Sequence, residues 1–152
     1  MRTVVTGGAG FIGSHIVDGL LEAGHRVRVF DNLEPQVHGE LDKAPDYLNR
    51  EAEFIRGDVR DADAVERALK DIDVVFHEAA MVGVGQSMYQ ILRYTDCNAV
   101  GAAVLLEALA GKKHSVRKLL VASSMSIYGE GRYDCPKCGL ISPRTRRAED
   151  LE

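Results

Sequence analysis

The amino-acid sequence predicts an α/β fold built on one doubly wound parallel sheet. Three observations lead to this fold class. Short runs of β-branched and apolar residues alternate along the chain with segments of helical periodicity. Glycines at positions 7, 10 and 13 stand between the first predicted strand and the first predicted helix. An acidic residue, Asp31, comes directly after the second predicted strand.

Five strands are predicted, each a short run rich in apolar residues. Segments of helical pattern or of polar loop separate them, so consecutive strands are expected to run parallel with crossover connections. No internal repeat interrupts this order. The predicted strands are 3–6, 26–30, 53–58, a fourth that runs into a loop within 73–80, and 118–124.

The helices are predicted from apolar residues that recur every three or four positions. The first ends at Gly24, a suitable residue for a left-handed stop, and a later one starts after Asp61, a suitable N-cap. Residues 33–50 are predicted as loop with a short helix, and residues 129–152 as loop. The apolar faces are Ile12, Ile16, Val17, Leu20 and Leu21; then Ala64, Val65, Ala68 and Leu69; then Cys97, Val100, Gly101, Val104, Leu105 and Ala108.

Composition argues against several classes of protein function. The 152 residues carry 19 basic and 23 acidic side chains, a net charge of −4, which disfavours nucleic-acid binding. No apolar run approaches the ~18 residues of a membrane span, and no signal peptide precedes the first strand. Three cysteines, an odd number, argue against a disulfide framework and predict a cytoplasmic protein.

The three glycines have a mechanical interpretation in this context. Gly7 allows a tight turn out of the strand, Gly10 lets a pyrophosphate approach the backbone, and Gly13 lets the helix pack closely. The free N–H groups of the helix N-terminus then face the phosphates. The alternative is a plain tight turn, but the position between strand and helix favours the phosphate cradle.

Two carboxylates follow predicted strands. Asp31 can accept hydrogen bonds from an adenosine ribose, and no arginine follows it directly to hold a 2′-phosphate, so NAD is predicted over NADP. Asp58 could face the adenine edge, with Val59 beside it. For each aspartate the alternative is an ordinary turn residue.

Together these residues resemble the extended short-chain dehydrogenase/reductase family, and within it the NAD-dependent nucleotide-sugar epimerases and dehydratases. Six motifs occur in the order and spacing of that family, over residues 1 to about 130. They are TGGAGFIG (6–13), DN (31–32), GDVRD (57–61), HEAA (77–80), NAVGAAVLLEA (98–108) and ASSMSIYG (122–129). The resemblance implies a Rossmann fold, NAD as cofactor and a nucleotide sugar as substrate.

The resemblance also implies roles for individual residues. The glycine loop would hold the pyrophosphate, the following groups would line the nucleoside pockets, and Ser124 would be the catalytic hydroxyl near the sugar. Ser123 and Ser126 are the alternatives to Ser124. His77 and Asn98 would be structural. The cofactor-binding residues are Gly7, Gly10, Phe11, Ile12 and Gly13 for pyrophosphate, Asp31 and Asn32 for ribose, Asp58 and Val59 for adenine, and Ala79, Ala80 and Met81 beside the nicotinamide.

One part of the family pattern is missing. In that family a tyrosine takes the proton of the sugar hydroxyl, and a lysine four residues later on the same helix lowers its pKa. Only Tyr133 and Lys137 have this spacing after Ser124, and Pro136 stands where the helix should run. We therefore expect an NAD-binding domain over 1–130 and an irregular tail bearing cysteine and arginine over 131–152, truncated before a sixth strand and the substrate-binding region.

Cys135 and Cys138 have the spacing of half a zinc knuckle, although tetrahedral zinc needs four ligands. They are weak metal candidates, and the alternative is an exposed turn with two thiols.

The predicted function is the NAD-binding portion of a nucleotide-sugar 4-epimerase acting on a UDP- or dTDP-sugar, inactive alone because the tyrosine–lysine helix is absent. The alternatives are a non-catalytic NAD-binding module and a dehydratase fragment. A homo-oligomer is possible for each.

Overall fold

A computed structural model describes residues 1–111, 114–129, 131–143, 147 and 149. The chain divides into two compact units, residues 1–122 and 123–152. The first unit carries the sheet and the helices that cover it.

The first unit contains a five-stranded sheet in which every pair of neighbours is parallel. The strand order is β3-β2-β1-β4-β5. Starting from β1, the chain adds β2 and β3 on one side, and then crosses to the other side of β1 to add β4 and β5. The predicted doubly wound parallel sheet is therefore confirmed. The strands are β1 (Arg2–Thr6), β2 (Arg26–Asp31), β3 (Glu53–Arg56), β4 (Val74–His77) and β5 (Lys118–Val121).

Helices connect the strands. A π-helical turn, Asp96–Val100, joins α5 to α6, so residues 91–110 are helical without a break. The α-helices are α1 (Phe11–Glu22), α2 (Pro35–His38), α3 (Ala62–Leu69), α4 (Val84–Ser87), α5 (Ile91–Thr95) and α6 (Gly101–Ala110).

The predicted helix boundaries of α1 and α3 have clear local causes. Gly24 takes a φ of 78°, its N–H donates to the carbonyl of Leu21, and the N–H of His25 donates to that of Leu20. This pair of bonds is a Schellman motif, which glycine permits because it has no Cβ. Asp61 caps α3 by accepting a hydrogen bond from the Ala64 N–H at 3.1 Å.

The core lies on both faces of the sheet. Val4 and Val5, consecutive on β1 and both fully buried, belong to two different apolar clusters because neighbouring strand residues point to opposite faces. Cluster one contains α3 and α6 residues such as Leu69 and Leu105, and cluster two contains Val17 of α1. Burial on both faces explains why the strands read as continuous apolar runs.

Two residues predicted on buried helix faces are exposed instead. Ile12, in the first turn of α1, is 61% exposed, whereas Val17, further along the helix, is fully buried. Val100 is 45% exposed. It ends the π-helical turn, and the extra residue of such a turn shifts the face presented by its neighbours.

The second unit contains a 3-10 helix, Met125–Tyr128, and an antiparallel hairpin of β6 (Tyr133–Cys135) and β7 (Gly139–Ile141). The hairpin differs from the irregular segment that the sequence predicts for this region. Its strands have only three residues each, too short for a periodic signal, and a three-residue turn joins them. None of the described helices has the length and apolar composition that crossing a bilayer requires.

His77, at the end of β4, should make the stability of the fold depend on pH. Its ring is buried, its Nδ1 lies 2.7 Å from the Thr6 hydroxyl, and burial lowers its pKa below the ordinary 6.5. The unfolded chain therefore takes up the proton first as pH falls, and the free energy of unfolding should decrease between about pH 7 and pH 5. Denaturant titrations at several pH values measure this slope.

A His77→Asn variant keeps a hydrogen-bond partner for Thr6 but cannot titrate in this range. Its slope over the same interval should be shallower than that of the unmodified chain. Asp58 does not interfere, because its lowered pKa affects stability only below its ordinary value near 3.8. Equal slopes in the two proteins would show that His77 is not the group responsible.

Candidate dinucleotide-binding site

The candidate site lies where the strand order reverses, between the carboxyl ends of β1 and β4. Ligands of open α/β sheets bind in the crevice at such a point. Gly7 leaves β1 with a φ of 67°, and its N–H donates to the carbonyl of Phe30 at 2.8 Å. A Cβ on Gly7 would lie 2.7 Å from the backbone nitrogen of Ala79, so only glycine lets the loops after β1 and β4 touch.

The other two glycines of the motif meet different constraints. A Cβ on Gly13 would lie 2.2 Å from the carbonyl oxygen of Gly7 and 2.7 Å from the Cα of Gly8, because α1 packs directly on the loop. A Cβ on Gly10 would meet only the Gly7 oxygen, at 3.2 Å. The fold thus requires glycine at 7 and 13, whereas the space in front of Gly10 is open. An open backbone surface at the middle glycine is what a pyrophosphate needs.

The N-terminus of α1 is uncapped. Gly10 is its N-cap residue in an extended conformation, and no side chain caps it. The first turn contains no acidic residue, and Phe11 and Ile12 are 81% and 61% exposed. The first N–H groups of a helix have no partner within the helix and carry partial positive charge. The end of α1 can therefore accept an anionic group such as a phosphate.

Asp31 connects the glycine loop to the end of β2. Its carboxylate is buried and accepts hydrogen bonds from the N–H of Ala9 at 3.0 Å and the N–H of Leu33 at 2.9 Å. A carboxylate has about four acceptor sites, so two remain for a ligand. The sequence interpretation of Asp31 as a mere turn residue is therefore incomplete, because it also fixes the loop.

The sequence did not predict a second set of hydrogen bonds that holds the glycine loop. The hydroxyl of Tyr47 donates to the carbonyl of Ala9 at 2.5 Å and lies 3.1 Å from Nδ1 of His38. Nε2 of His38 lies 3.8 Å from the Asp31 carboxylate, which closes a ring of polar contacts. Tyr47 is 62% exposed, but partial desolvation of its hydroxyl, and then the charge of Asp31, raise its pKa. Nothing in residues 33–50 predicted this ring, because loop contacts leave no periodic pattern.

Asp58 pairs with Asn32 at the ends of β3 and β2. The Asn32 side chain donates to Asp58 at 3.1 Å, which brings together two residues predicted for the nucleoside pocket. Hydrogen bonds from Arg60 are the main reason that the pKa of Asp58 falls to about 2. Arg60 also contacts Asp96 at 2.7 Å and so ties this loop to the π-helical turn.

Val59, predicted beside the adenine, is a core residue. It is 6% exposed and belongs to the cluster that α3 and α6 form. Its side chain packs against Gly101, where an added Cβ would lie 2.7 Å from a Val59 methyl. Packing of the Val59 side chain in the core therefore fixes the backbone next to Asp58.

The segment after β4 is held by the π-helical turn. Asn98 accepts from the Met81 N–H at 2.7 Å and donates to the Met81 carbonyl at 3.0 Å. The predicted structural role of Asn98 thus corresponds to a two-bond clamp on the segment that includes Ala79 and Ala80. A single π turn inside a helix is frequent at functional sites, because it redirects side chains.

In the second unit, Ser124 is the N-cap residue that precedes the 3-10 helix. Its hydroxyl oxygen accepts a hydrogen bond from the Ser126 N–H at 3.1 Å, as an N-cap residue does. Tyr133 lies on β6 and Lys137 in the following turn. The two residues therefore do not share a helix face, and the geometry of a helical tyrosine–lysine pair is not present at this spacing.

Cys135 and Cys138 flank the turn of the hairpin, and both are unpaired thiols. Within the part of the chain that the structure describes, no three potential metal-binding side chains come together.

Comparison with known proteins gives the family. The model of the NAD dependent epimerase/dehydratase family matches residues 3–147, so the chain belongs to that family. A dTDP-L-rhamnose 4-epimerase of Burkholderia thailandensis is 36% identical over 99% of this chain and 42% of its own length. A putative UDP-glucose 4-epimerase of Methanocaldococcus jannaschii is 39% identical over 86% of this chain and 40% of its own.

Solved structures of epimerases are also similar to this chain. The UDP-glucose 4-epimerase of Bifidobacterium longum, in complex with NAD⁺ and UDP, superposes with a TM-score of 0.68 and 34% identity over 85% of this chain and 38% of its own. The Thermotoga maritima UDP-glucose 4-epimerase with UDP-glucose gives 0.71 and 38%, over 86% and 40%. The chain therefore spans about two fifths of the length of these relatives.

The glycine loop makes a prediction about stability. Gly13→Ala should lower the free energy of unfolding by at least about 2 kcal/mol, because its Cβ would overlap the Gly7 carbonyl and the loop cannot move without breaking its contact with Ala79. Gly10→Ala should change it by less than about 1 kcal/mol. Urea unfolding of both variants measures the difference, and equal costs would mean that α1 does not pack on the loop as described.

Proposed function

We propose that this chain is the NAD-binding portion of a nucleotide-sugar 4-epimerase. One observation carries the proposal: at the strand-order reversal, the loop before α1 requires glycine at 7 and 13 yet leaves Gly10 open to a ligand. Family membership and the names of the relatives support it, since several are 4-epimerases of UDP- or dTDP-sugars.

The first turn of α1 would bind the pyrophosphate. The backbone N–H groups of Phe11, Ile12 and Gly13 lie at the positive end of the helix, and Gly10 lets the phosphates approach. The exposed side chains of Phe11 and Ile12 would flank the phosphates and keep water away from them.

Asp31 would accept hydrogen bonds from the ribose hydroxyls of the adenosine. Its two bonds from Ala9 and Leu33 fix the carboxylate in place and still leave acceptor sites. The paired side chains of Asn32 and Asp58 would line the adenine pocket. A 2′-phosphate at the ribose would meet the negative charge of Asp31 at close range, so the site favours NAD over NADP.

The segment 79–81 would lie along the nicotinamide, held in place by Asn98. NAD⁺, when bound, would accept and return a hydride at the sugar carbon whose configuration changes. Ser124 would hydrogen-bond to the reacting sugar hydroxyl, since its N-cap bond leaves its proton free to donate. The substrate would be a UDP- or dTDP-sugar.

The proposed roles predict a cofactor preference. The chain should bind NAD⁺ at least about tenfold more tightly than NADP⁺, a difference of about 1.4 kcal/mol, because of the charge of Asp31. Calorimetric titration with each dinucleotide measures both constants. Equal affinities would remove Asp31 from the ribose site.

Asp31→Asn is the matched variant for this preference. It removes the charge, and its amide can accept only one of the two N–H bonds from Ala9 and Leu33. Affinity for NAD⁺ should fall, and the ratio of NAD⁺ to NADP⁺ affinity should shrink toward one. An unchanged ratio would contradict a role for the carboxylate in discrimination.

A further prediction concerns turnover. The 152-residue chain should show no measurable epimerisation of UDP-glucose or dTDP-rhamnose with NAD⁺, because Tyr133 and Lys137 are not placed as a general-base pair. Loss of a positioned base commonly costs about 10²- to 10⁴-fold in rate. A coupled assay of UDP-galactose formation tests this, and turnover that a Tyr133→Phe variant abolishes would contradict it.

A further inference from the structure

The β6–β7 hairpin places two cysteines at the ends of its turn. Cys135 is the last residue of β6, and Cys138 is the last residue of the turn before β7. Gly139, which pairs with Cys135 across the hairpin, has a φ of 74°. This is the left-handed region that glycine adopts at little cost, and it reverses the chain directly after the second thiol.

The turn also directs hydrogen bonds to one sulfur. Pro136 has no N–H, and the backbone N–H groups of the next two residues, Lys137 and Cys138, donate to the Cys135 sulfur. The side chain of Cys138 also hydrogen-bonds to this sulfur, so the two thiols lie next to each other. Two amide donors on one sulfur stabilise the thiolate, which is the form that binds a metal.

The location of Cys135 and Cys138 favours metal binding over thiol–disulfide redox chemistry. A redox CxxC pair lowers the pKa of its first cysteine at a helix N-terminus, whereas this pair stands at a hairpin turn between two strands. The third cysteine differs from both. Cys97 lies in the π-helical turn of the first unit, where burial raises its pKa.

We propose that Cys135 and Cys138 are two of the four ligands of a tetrahedral thiolate site for Zn²⁺. Thiolates in tetrahedral geometry select zinc among the common divalent ions. The described residues bring no third ligand to the hairpin. In a solution of the 152-residue chain, the same two cysteines of a second copy complete the set, so two chains share one ion.

Titration of the reduced chain with Co²⁺, under nitrogen, tests the site directly. Tetrahedral thiolate coordination should give a sulfur-to-metal charge-transfer band and intense d–d bands, both abolished by added Zn²⁺. Saturation should occur at one ion per two chains, with a dimer in sedimentation that dissociates when a chelator is added. Absence of the charge-transfer band, or saturation at one ion per chain without dimerisation, would overturn the proposal.

Variants separate the pair from other ligands. Cys135→Ser and Cys138→Ser should each weaken Co²⁺ binding at least about 100-fold, beyond the roughly 10- to 100-fold loss typical of an outer partner. Cys97→Ser should leave binding unchanged. Binding that survives both hairpin variants, or that disappears with Cys97, would show that the site is elsewhere.

A third variant tests whether the turn of the hairpin itself forms the metal site. Gly139→Ala keeps both thiols but strains the backbone at a φ of 74°, while the space beside it is open. Binding should weaken about tenfold, and saturating Co²⁺ should restore the full charge-transfer band. A band that cannot be restored at saturation would contradict a site built by this turn.

Discussion

The candidate site depends on the hydrogen bond between the Ala9 N–H and the buried carboxylate of Asp31. This 3.0 Å bond joins the loop after β1 to the end of β2. A buried carboxylate without partners would be costly, so the bonds to Ala9 and Leu33 are also a condition for its burial. A single side chain thereby sets the position of the glycine loop and offers its remaining lone pairs to a ligand.

Other contacts reinforce this geometry from outside. Tyr47 holds the carbonyl of Ala9 while Asp31 holds its N–H, so both polar groups of that peptide segment are fixed. Gly13 brings α1 against the loop, and Gly7 brings the loop against the segment after β4. The glycine loop is thus positioned before any ligand arrives, which reduces the ordering cost of binding.

Sequence patterns predicted the strands, the helix ends and the glycine loop because each has a local cause. Gly24 and Asp61 act within one turn of their helices, and the continuous apolar run of β1 follows from burial on both faces of the sheet. The Tyr47–Ala9 bond spans 38 positions and has no local signal. The β6–β7 hairpin is too short to show a period. Val59 is a different case. The family motif predicted a place for it beside the adenine, whereas packing puts its side chain in the apolar core.

The most direct test of the account is to observe which backbone amides respond to the dinucleotide. In a ¹⁵N-labelled sample of the chain titrated with NAD⁺, the largest chemical-shift changes should fall on the amides of Gly10, Phe11, Ile12 and Gly13, with a second group at Asn32 and Leu33. Those amides lie at the end of α1 and at the end of β2. Saturable shifts confined to other parts of the chain, with the glycine loop unmoved, would contradict the proposed site.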